Sequence, residues 1–493
     1  MAIDVWRTAE RSELSATWHI GSQRRRVAVL TVLAIAASLV SVLLVLALQI
    51  VSAVMLAIWL LVIGIAWRPR IGLYVAFGLI LMFEAGSADR MMVPGEYLHS
   101  GLANTLGLPG VIFNPLELLL VLSFGIWLAQ GIAQRRLDYR AGRLGWPMLL
   151  FFLALVFGLV RGAAGGGDLN IAFWEARALF YIIICYVLAA NTIRTRRQVA
   201  ILTTIGLLAM AFWAAEGAYR QLFLIDVGLL GETKEFYYSH EVVVFLGALL
   251  LLVLAQHVFG APLWQRLFGL AIVPVGVFTL LATERRAGQI ATMIAFLAFA
   301  LVFLAVHRKA FFTIALPLLI GGAIYLPLFW NNTSMVGQPA RAIRSLYQPD
   351  ERDAASNLYR LLEKINVRAT IKSDPLRGVG FGREFLFVVS LPDLSWWPFW
   401  HYMPHHNILW VWLKTGAFGF IIFWTLMGTA IAQAAYFARV LRQREARVFA
   451  LLALAGIISS LVFCWVDLGL VMNRVTVFLG TILGTLAVLD QIE

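Results

Sequence analysis

The sequence predicts an all-α integral membrane protein that crosses the bilayer about fourteen times. Of its 493 residues, 61% are hydrophobic and only 13% are charged, a balance far outside that of soluble domains. Apolar runs of roughly 20 residues follow one another almost from end to end, and in hydrocarbon a helix can satisfy its backbone hydrogen bonds within one such run. These observations exclude a soluble fold.

Fourteen apolar runs have the length and composition of spanning helices. They cover residues 27–46, 48–66, 71–87, 115–133, 145–161, 175–191, 198–219, 240–257, 264–282, 288–306, 310–329, 417–438, 448–466 and 474–490. The 26 residues before the first run show no small-residue cleavage pattern. We therefore expect the first run to remain as a membrane anchor.

Basic clusters occupy alternate connections between these runs. They comprise Arg24, Arg25 and Arg26; Arg68 and Arg70; Arg135, Arg136, Arg140 and Arg143; Arg194, Arg196 and Arg197; Arg308 and Lys309; and Arg439, Arg442, Arg444 and Arg447. Positive loops stay on the cytoplasmic side of a membrane, so the pattern places both termini in the cytoplasm. The net charge of +12 then reflects loop arginines facing anionic lipid, and no nucleic-acid partner is expected.

We divide the chain into four segments. Residues 1–133 hold the N-terminal spans, 134–329 the central spans with the arginine sites, 330–416 a large periplasmic loop and half-helix, and 417–493 the C-terminal spans. The long connections at 88–114, 162–174, 220–239 and 330–405 all fall on the face opposite the basic clusters. Loops longer than about 15 residues are uncommon unless they carry function, so function is expected on this face.

The largest loop contains two patterned stretches. Residues 353–372 have apolar side chains at helical spacing and predict a short amphipathic helix. Residues 396–402 are rich in aromatic side chains and form either an interfacial belt or a stacking platform for sugar rings or a lipid chain. The two cysteines, Cys185 and Cys464, lie inside apolar runs, so neither a disulfide framework nor a thiolate metal site is expected.

Two features on the same face contain arginine. Arg285 and Arg286 lie in a tight turn between two spans, where they either pair with Glu284 or clamp a phosphate group with their planar donor forks. Arg220 follows Glu216 by four residues, so on a helix the two side chains either pair with each other or contribute to a ligand site. Several arginine side chains at the same depth in the membrane suggest that they bind one anionic group together.

The last two features flank the end of the large loop. Residues 373–382 contain three glycines that permit left-handed turns and close backbone approach. His405, His406 and Asn407 begin a stretch too long for one straight span, so we expect a half-helix from His406 and a bend at Gly416. A histidine at a helix start is often a cap, but it is also the side chain best suited to take a proton near neutral pH.

These features together resemble the O-antigen ligase and O-antigen polymerase superfamily. His406 and Asn407, an apolar stretch, and then Gly416 and Gly419 resemble its HN, apolar, G, G signature. The run DPLRGVGFG at 374–382 is similar to its NPLxGxGxG element, and residues 283–288 match its TxSRG turn. The resemblance covers roughly residues 140–490, and the first helices look like additional spans.

The resemblance implies a metal-independent glycosyltransferase of the GT-C type in the bacterial inner membrane. Such an enzyme takes a glycan from undecaprenyl diphosphate at the periplasmic face and needs no cofactor. His406 matches the catalytic histidine and Arg286 the arginine of the turn motif, while Arg220 is a candidate second pyrophosphate-binding arginine by position only. Arg285 stands where serine is usual, and His405 adjoins His406, so either neighbour could share or take over a role.

The chemistry of these side chains agrees with that implication. Fixed arginines can offset the charge that builds on a diphosphate leaving group. A neutral His406 imidazole can take the proton of the hydroxyl that attacks C1 of the sugar, and direct attack inverts the anomeric centre. Asn407, His405 and Glu216 are candidate supporting residues. The expected partners are the lipid-linked glycan donor, a glycan or lipid-linked acceptor, and membrane lipids.

Two other classes of protein compete with this interpretation. A transporter or flippase of polyprenyl-linked glycans would show internal repeats and charged groups near the bilayer midplane, and the sequence shows neither. A membrane scaffold would leave the outer arginines and His406 without a role. Within the enzyme interpretation, a ligase and a polymerase share donor chemistry and differ only in the acceptor, so the sequence does not separate them.

Overall fold

The computed structural model describes residues 31–32, 35–36, 38–39, 50–83, 113–135, 138–225, 240–395 and 397–492. Within these ranges all regular structure is helical and no strand is formed. Nine of the described helices are long and apolar enough to cross a membrane, and four shorter apolar helices accompany them. This confirms the all-helical membrane prediction. The number fourteen and the cytoplasmic termini remain predictions, and the first predicted span lies mostly outside the described residues.

We number the principal helices of the described residues in chain order. They are α1 Ile50–Trp67, α2 Arg70–Met82, α3 Pro115–Ala133, α4 Gly145–Ala164, α5 Leu169–Thr192, α6 Arg196–Tyr219, α7 Val242–Val258, α8 Leu263–Ala282, α9 Arg286–Val306, α10 Arg308–Leu328, α11 Gln338–Arg344, α12 Glu351–Ser373, α13 Asn407–Val440, α14 Arg444–Cys464 and α15 Asn473–Ala487. A π-helix, Arg220–Ile225, continues α6. Each predicted span from 48–66 onwards overlaps one of these helices.

The outer faces of several helices expose large apolar side chains. Leu267 on α8 is 57% exposed and Leu301 on α9 is 68% exposed, whereas most of α14 and α15 is buried in the centre of the bundle. A soluble protein rarely leaves such extended apolar surface in water. Lipid is the environment that this surface fits.

Polar contacts gather the arginine-rich connections at one end of the bundle, which we call the basic end. Arg143 pairs with Asp490 at 2.7 Å, and Arg194 pairs with Asp138 at 2.5 Å. The opposite end, which we call the loop end, carries residues 330–406. The clustering agrees with the predicted alternation of the connections, and the side of the membrane that each end faces stays a prediction.

Helix α12 is the predicted amphipathic helix of the large loop, and it is confirmed at 23 residues. The Asp350 side chain caps its N-terminus by accepting a hydrogen bond from Asp353 N at 2.8 Å. The helix packs on the first half of α13. In the aromatic stretch that follows, Trp396 lies outside the described residues, and the choice between belt and platform stays open.

Helix α13 breaks at Gly416, as the sequence predicts. Residues 373–382, which we call the glycine-rich turn, and the helix form hydrogen bonds across the break. Gly416 has φ 70° and ψ −176°, so Ala417 N cannot reach Leu413 O as it would in a regular helix. Ala417 N instead donates to Pro375 O at 2.9 Å, and Val379 N donates to Leu413 O at 2.8 Å. The loop thus satisfies both backbone groups that the break leaves unpaired.

The same turn is pressed against the membrane helices. A Cβ on Gly380, whose φ is 86°, would lie 2.2 Å from Gly162 N on α4, so only glycine fits there. Beneath the turn, Lys414 Nζ lies 2.8 Å from Glu175 Oε1, and both side chains are fully buried. Gly382 N donates to Glu175 Oε2 at 2.5 Å. This buried ion pair, which the sequence does not predict, lies against the glycine-rich turn of the loop.

The Gly416→Ala variant is expected to be less stable than the wild type. Gly416, at φ 70° and ψ −176°, is in a region essentially restricted to glycine, where strain costs about 1–3 kcal/mol. The Cβ of alanine would also lie 2.1 Å from Leu376 O, so the loop must move away. The apparent melting temperature in detergent measures the effect. Gly428→Ala on the same helix is the matched control because no atom lies within 4 Å of the added Cβ. Equal melting temperatures for the two variants would contradict the role of the break.

Candidate active site

A cavity of about 620 Å³ opens at the loop end among α9, α12, α13 and α14. Its polar end is lined by four arginines, Arg285, Arg286, Arg341 and Arg360, by three carboxylates, Glu284, Asp353 and Asp467, and by His240. Its apolar wall includes Ile290, Ile294, Trp424, Ile431 and Ile458, all on helices that can cross the membrane. The polar end has four guanidinium groups and three carboxylates, so its net charge is positive.

Arg286 begins α9 and is held in place by the large loop. Its guanidinium lies 3.3 Å from Asp353 Oδ1 and donates to Ser345 Oγ at 3.2 Å and to Asn357 Oδ1 at 3.3 Å. Arg286 therefore forms an ion pair, as one of the two alternatives from the sequence proposed. Its partner is Asp353 of α12 and not the neighbouring Glu284. Glu284 instead accepts a hydrogen bond from Gln338 Nε2 at 3.3 Å.

The turn before α9 aims two arginines into the cavity. Glu284 has φ 52°, a left-handed conformation that is uncommon for a residue with a side chain. This sharp reversal lets α9 start at once after α8 and leaves Arg285 and Arg286 side by side on the lining. The predicted clamp residues are thus brought together on one surface.

Arg220 contacts a carboxylate on its own helix. It forms an ion pair with Glu216 where α6 passes into the π-helix, and both side chains are almost fully buried. The pairing that the four-residue spacing suggested is confirmed. Among the described residues that line the cavity Arg220 does not appear, so the structure does not bring it together with Arg285 and Arg286 there.

His406 caps α13 with its side chain. Its Nδ1 accepts a hydrogen bond from Leu409 N at 3.2 Å, which satisfies one of the free N–H groups of the first turn. The imidazole packs on Trp465 with ring centroids 4.7 Å apart. Trp465 lines the cavity, but neither His405 nor His406 is among the described residues that line it. Burial lowers the pKa of His406 to about 4, so its imidazole is neutral at neutral pH.

His405 is held by a buried carboxylate. Glu363, only 1% exposed, accepts a hydrogen bond from His405 N at 2.8 Å, and its other oxygen lies 3.1 Å from His405 Nδ1. Burial lowers the pKa of His405, but the hydrogen bond and negative charge of Glu363 more than offset this and raise it above its ordinary value. Asn407 is structural: its amide donates to Pro404 O at 3.0 Å and accepts from Leu470 N at 2.7 Å.

Asp467 contacts both His240 and Arg360. It lies 3.0 Å from His240 Nδ1 and 3.9 Å from an Arg360 nitrogen, and all three side chains line the cavity. Burial would raise the pKa of Asp467, but the hydrogen bond to His240 and the neighbouring cations hold it below its usual range. Asp467 is thus an anion at neutral pH.

The sequence analysis missed Asp353, Arg360, Glu363 and Asp467. The first three had a detectable signal: positions 353, 357, 360 and 363 recur at helical spacing and form one polar stripe on α12. Asp467 is a lone carboxylate just beyond the end of an apolar helix. Across the described part of the chain, no three histidine, cysteine, aspartate or glutamate side chains lie together as at a metal site.

One comparison with known proteins finds a family match. Residues 270–424 match the sequence model of a family described as O-antigen ligase, Wzy_C. No curated protein matches the chain. The matched segment contains the arginine turn, α12, the glycine-rich turn, the histidine pair and the break at Gly416. Residues 270–424 are therefore similar to an O-antigen ligase domain, and this match supports the O-antigen ligase and polymerase superfamily for the chain.

Proposed function

We propose that this protein transfers a glycan from undecaprenyl diphosphate to a hydroxyl acceptor at the periplasmic face of the bacterial inner membrane. The family match supports a membrane glycosyltransferase or ligase in general. The observation that carries the proposal further is the shape of the cavity, which joins a positive polar end to an apolar wall between spanning helices.

The two parts of the cavity match the two parts of a polyprenyl diphosphate donor. Ile294 follows Arg286 by eight residues on α9, so it lies about 12 Å deeper along the helix. Ile294 is 41% exposed and Trp424 is 37% exposed, so the apolar wall has surface that a ligand can contact. A polyprenyl chain can therefore lie along this wall while its diphosphate remains at Arg285 and Arg286.

The arginines supply what the leaving group requires. As the bond from C1 of the sugar to the diphosphate breaks, negative charge grows on the departing oxygen, and fixed guanidinium groups in a partly dry site stabilise it more effectively than water does. This chemistry does not call for a divalent metal. Arg220, paired with Glu216 outside the cavity lining, has less support as a second diphosphate ligand.

The acceptor completes the reaction from the opposite side of the sugar. Its hydroxyl must lose a proton as it attacks C1, and an imidazole of the histidine pair is suited to take that proton. The resemblance assigns this role to His406. A single direct attack inverts the anomeric centre, and the same donor site serves a ligase or a polymerase.

The test is transfer by the purified protein in lipid nanodiscs. A synthetic undecaprenyl diphosphate-linked disaccharide serves as donor, with either lipid A–core or a second donor molecule as acceptor. We expect a coupled product and free undecaprenyl diphosphate by mass spectrometry, with an undiminished rate in EDTA. Absence of product with both acceptors would refute the proposed function, and restoration of the rate by added Mg²⁺ or Mn²⁺ would refute the proposed chemistry. The acceptor that reacts separates ligase from polymerase.

A further inference from the structure

Another cavity, of about 470 Å³, opens at the basic end of the bundle, and we call it the basic-end cavity. Its wall is formed by the connection from α1 to α2, by the end of α3 and by the end of α5, with residues that follow these helices. The described residues of this wall carry three guanidinium groups, those of Arg68, Arg70 and Arg194, and one carboxylate, that of Asp138. The net charge of the wall is therefore positive.

The carboxylate of the basic-end cavity is already paired. Asp138 Oδ2 lies 2.5 Å from an Arg194 nitrogen, and Arg194 also donates a hydrogen bond to Asn191 O at 3.1 Å. Elsewhere at the basic end, Arg143 is likewise paired with Asp490. The charges of Arg194 and Arg143 are thus balanced within the protein.

Arg68 and Arg70 differ from these arginines. Among the described residues, the titratable groups that act on Arg70 are the Arg68 guanidinium and the Tyr74 hydroxyl, and neither is an anion at neutral pH. The Arg68 guanidinium lies over the Trp67 ring, with Cζ 4.8 Å from the ring centroid. In the part of the chain that the structure describes, neither arginine is paired with a carboxylate. Two like charges therefore line the cavity without a counter-charge, and an anion is the ligand that they favour.

Hydrogen bonds hold the wall of the basic-end cavity in place. Gln130 of α3 donates to Ala66 O near the end of α1 at 2.6 Å. On α5, Asn191 donates to Val187 O at 2.9 Å and accepts from Arg140 N at 2.6 Å. The helix ends around the cavity are therefore fixed before a ligand binds, and a preformed site loses less conformational entropy on binding.

The basic-end cavity adjoins an apolar helix face. Trp67 lines the cavity and is 65% exposed, and tryptophan at the end of an apolar helix is typical of the boundary between hydrocarbon and lipid headgroups. Leu60, 58% exposed, precedes Trp67 by seven residues, so it lies on the same face of α1, about 10 Å farther from the basic end. A ligand with an anionic head and an apolar tail can contact both the arginines and this face, whereas a soluble phosphate ion can contact only the arginines.

We propose that the basic-end cavity binds an anionic phospholipid, with its phosphate at Arg68 and Arg70 and an acyl chain along Trp67 and Leu60. A guanidinium group binds phosphate oxygens through its planar donor fork, and basic pockets between transmembrane helices suit anionic lipid headgroups. Because the cavity lies between the α1–α2 connection and the end of α5, the bound lipid joins these parts of the bundle. Lipid binding at this end is independent of the proposed glycan transfer at the loop end.

Competition between two lipids tests this site on the wild type alone. Delipidated protein in detergent is mixed with equal amounts of phosphatidylglycerol and phosphatidylcholine that carry the same acyl chains, and the retained lipid is identified by native mass spectrometry. Both lipids contain a phosphodiester, but only phosphatidylglycerol has a net negative charge. We expect it to be retained about tenfold over phosphatidylcholine. Equal retention of the two lipids would overturn the proposed site.

The double variant Arg68→Gln with Arg70→Gln removes the two cations of the site. Loss of one arginine near an anionic headgroup weakens binding about fivefold, so we expect this variant to bind phosphatidylglycerol roughly 30-fold more weakly than the wild type. The matched control is Arg143→Gln with Arg444→Gln, which removes the same charge at the basic end. Both control arginines are paired with a carboxylate, and neither is among the described residues that line the cavity. The control should bind phosphatidylglycerol within about threefold of the wild type.

Thermal unfolding separates a lipid from a soluble phosphate. A ligand that binds only the folded protein raises its melting temperature. We expect phosphatidylglycerol to raise the melting temperature of the wild type and the control but not that of Arg68→Gln with Arg70→Gln, and inorganic phosphate at the same concentration to leave all three unchanged. An equal shift with inorganic phosphate would assign the cavity to a soluble anion. Equal affinities of the two double variants for phosphatidylglycerol would assign lipid binding to the overall charge of the basic end, and either result would overturn the lipid site.

Discussion

The Arg286→Ala variant is expected to transfer glycan about 10²- to 10³-fold more slowly than the wild type, the loss typical of removing one fixed donor to developing negative charge. Three neighbours hold the guanidinium: Asp353, Ser345 and Asn357. A guanidinium has five N–H donors, so these contacts orient the group and leave donors for a ligand. The effect is measured as kcat/KM for the undecaprenyl diphosphate-linked donor.

Two further variants sharpen this result. Arg286→Lys keeps the charge but loses the planar fork, so we expect an intermediate rate. Arg143→Ala removes an arginine that also pairs with an aspartate, Asp490, but at the basic end, and its rate should equal that of the wild type. If Arg286→Ala has the kcat/KM of the wild type and binds undecaprenyl diphosphate equally well, Arg286 does not contribute to the site.

The helices were predictable because their cause is local. A run of apolar residues in lipid must satisfy its own backbone, so the position of each span follows from composition alone. The break at Gly416 was predictable for a related reason, since the stretch from His406 onwards exceeds one span. The loop carbonyl that repairs the break, Pro375 O, could be found only from the structure.

The pairing of the site residues depends on tertiary packing. Glu363 precedes His405 by 42 residues, and no pattern near His405 indicates which carboxylate reaches it. Glu284 is the carboxylate nearest to Arg286 in sequence, but the contact is made by Asp353. Sequence reasoning therefore found the arginine turn and the histidine pair but not the groups that set their orientation and protonation.

The largest loss of stability is expected for Lys414→Met. Lys414 and Glu175 are both fully buried, and removing the cation leaves a buried carboxylate without its counter-charge, which typically costs about 3–5 kcal/mol. Lys414 also donates to Arg383 O at 2.6 Å, so the glycine-rich turn loses a second attachment. We expect a marked decrease in the apparent free energy of unfolding in mixed micelles.

The double variant Glu175→Gln with Lys414→Met tests whether the loss comes from the unpaired charge. A neutral glutamine can still accept from Gly382 N, as Glu175 does, and replacing both members of a buried pair is often close to neutral. We therefore expect the double variant to be more stable than Lys414→Met. Arg143→Met removes one member of a pair that is 57% exposed at the arginine, and it should cost no more than about 1 kcal/mol. If the double variant is no more stable than Lys414→Met, the stability lost there comes from the contacts of the lysine with the turn, and the buried carboxylate is not its source.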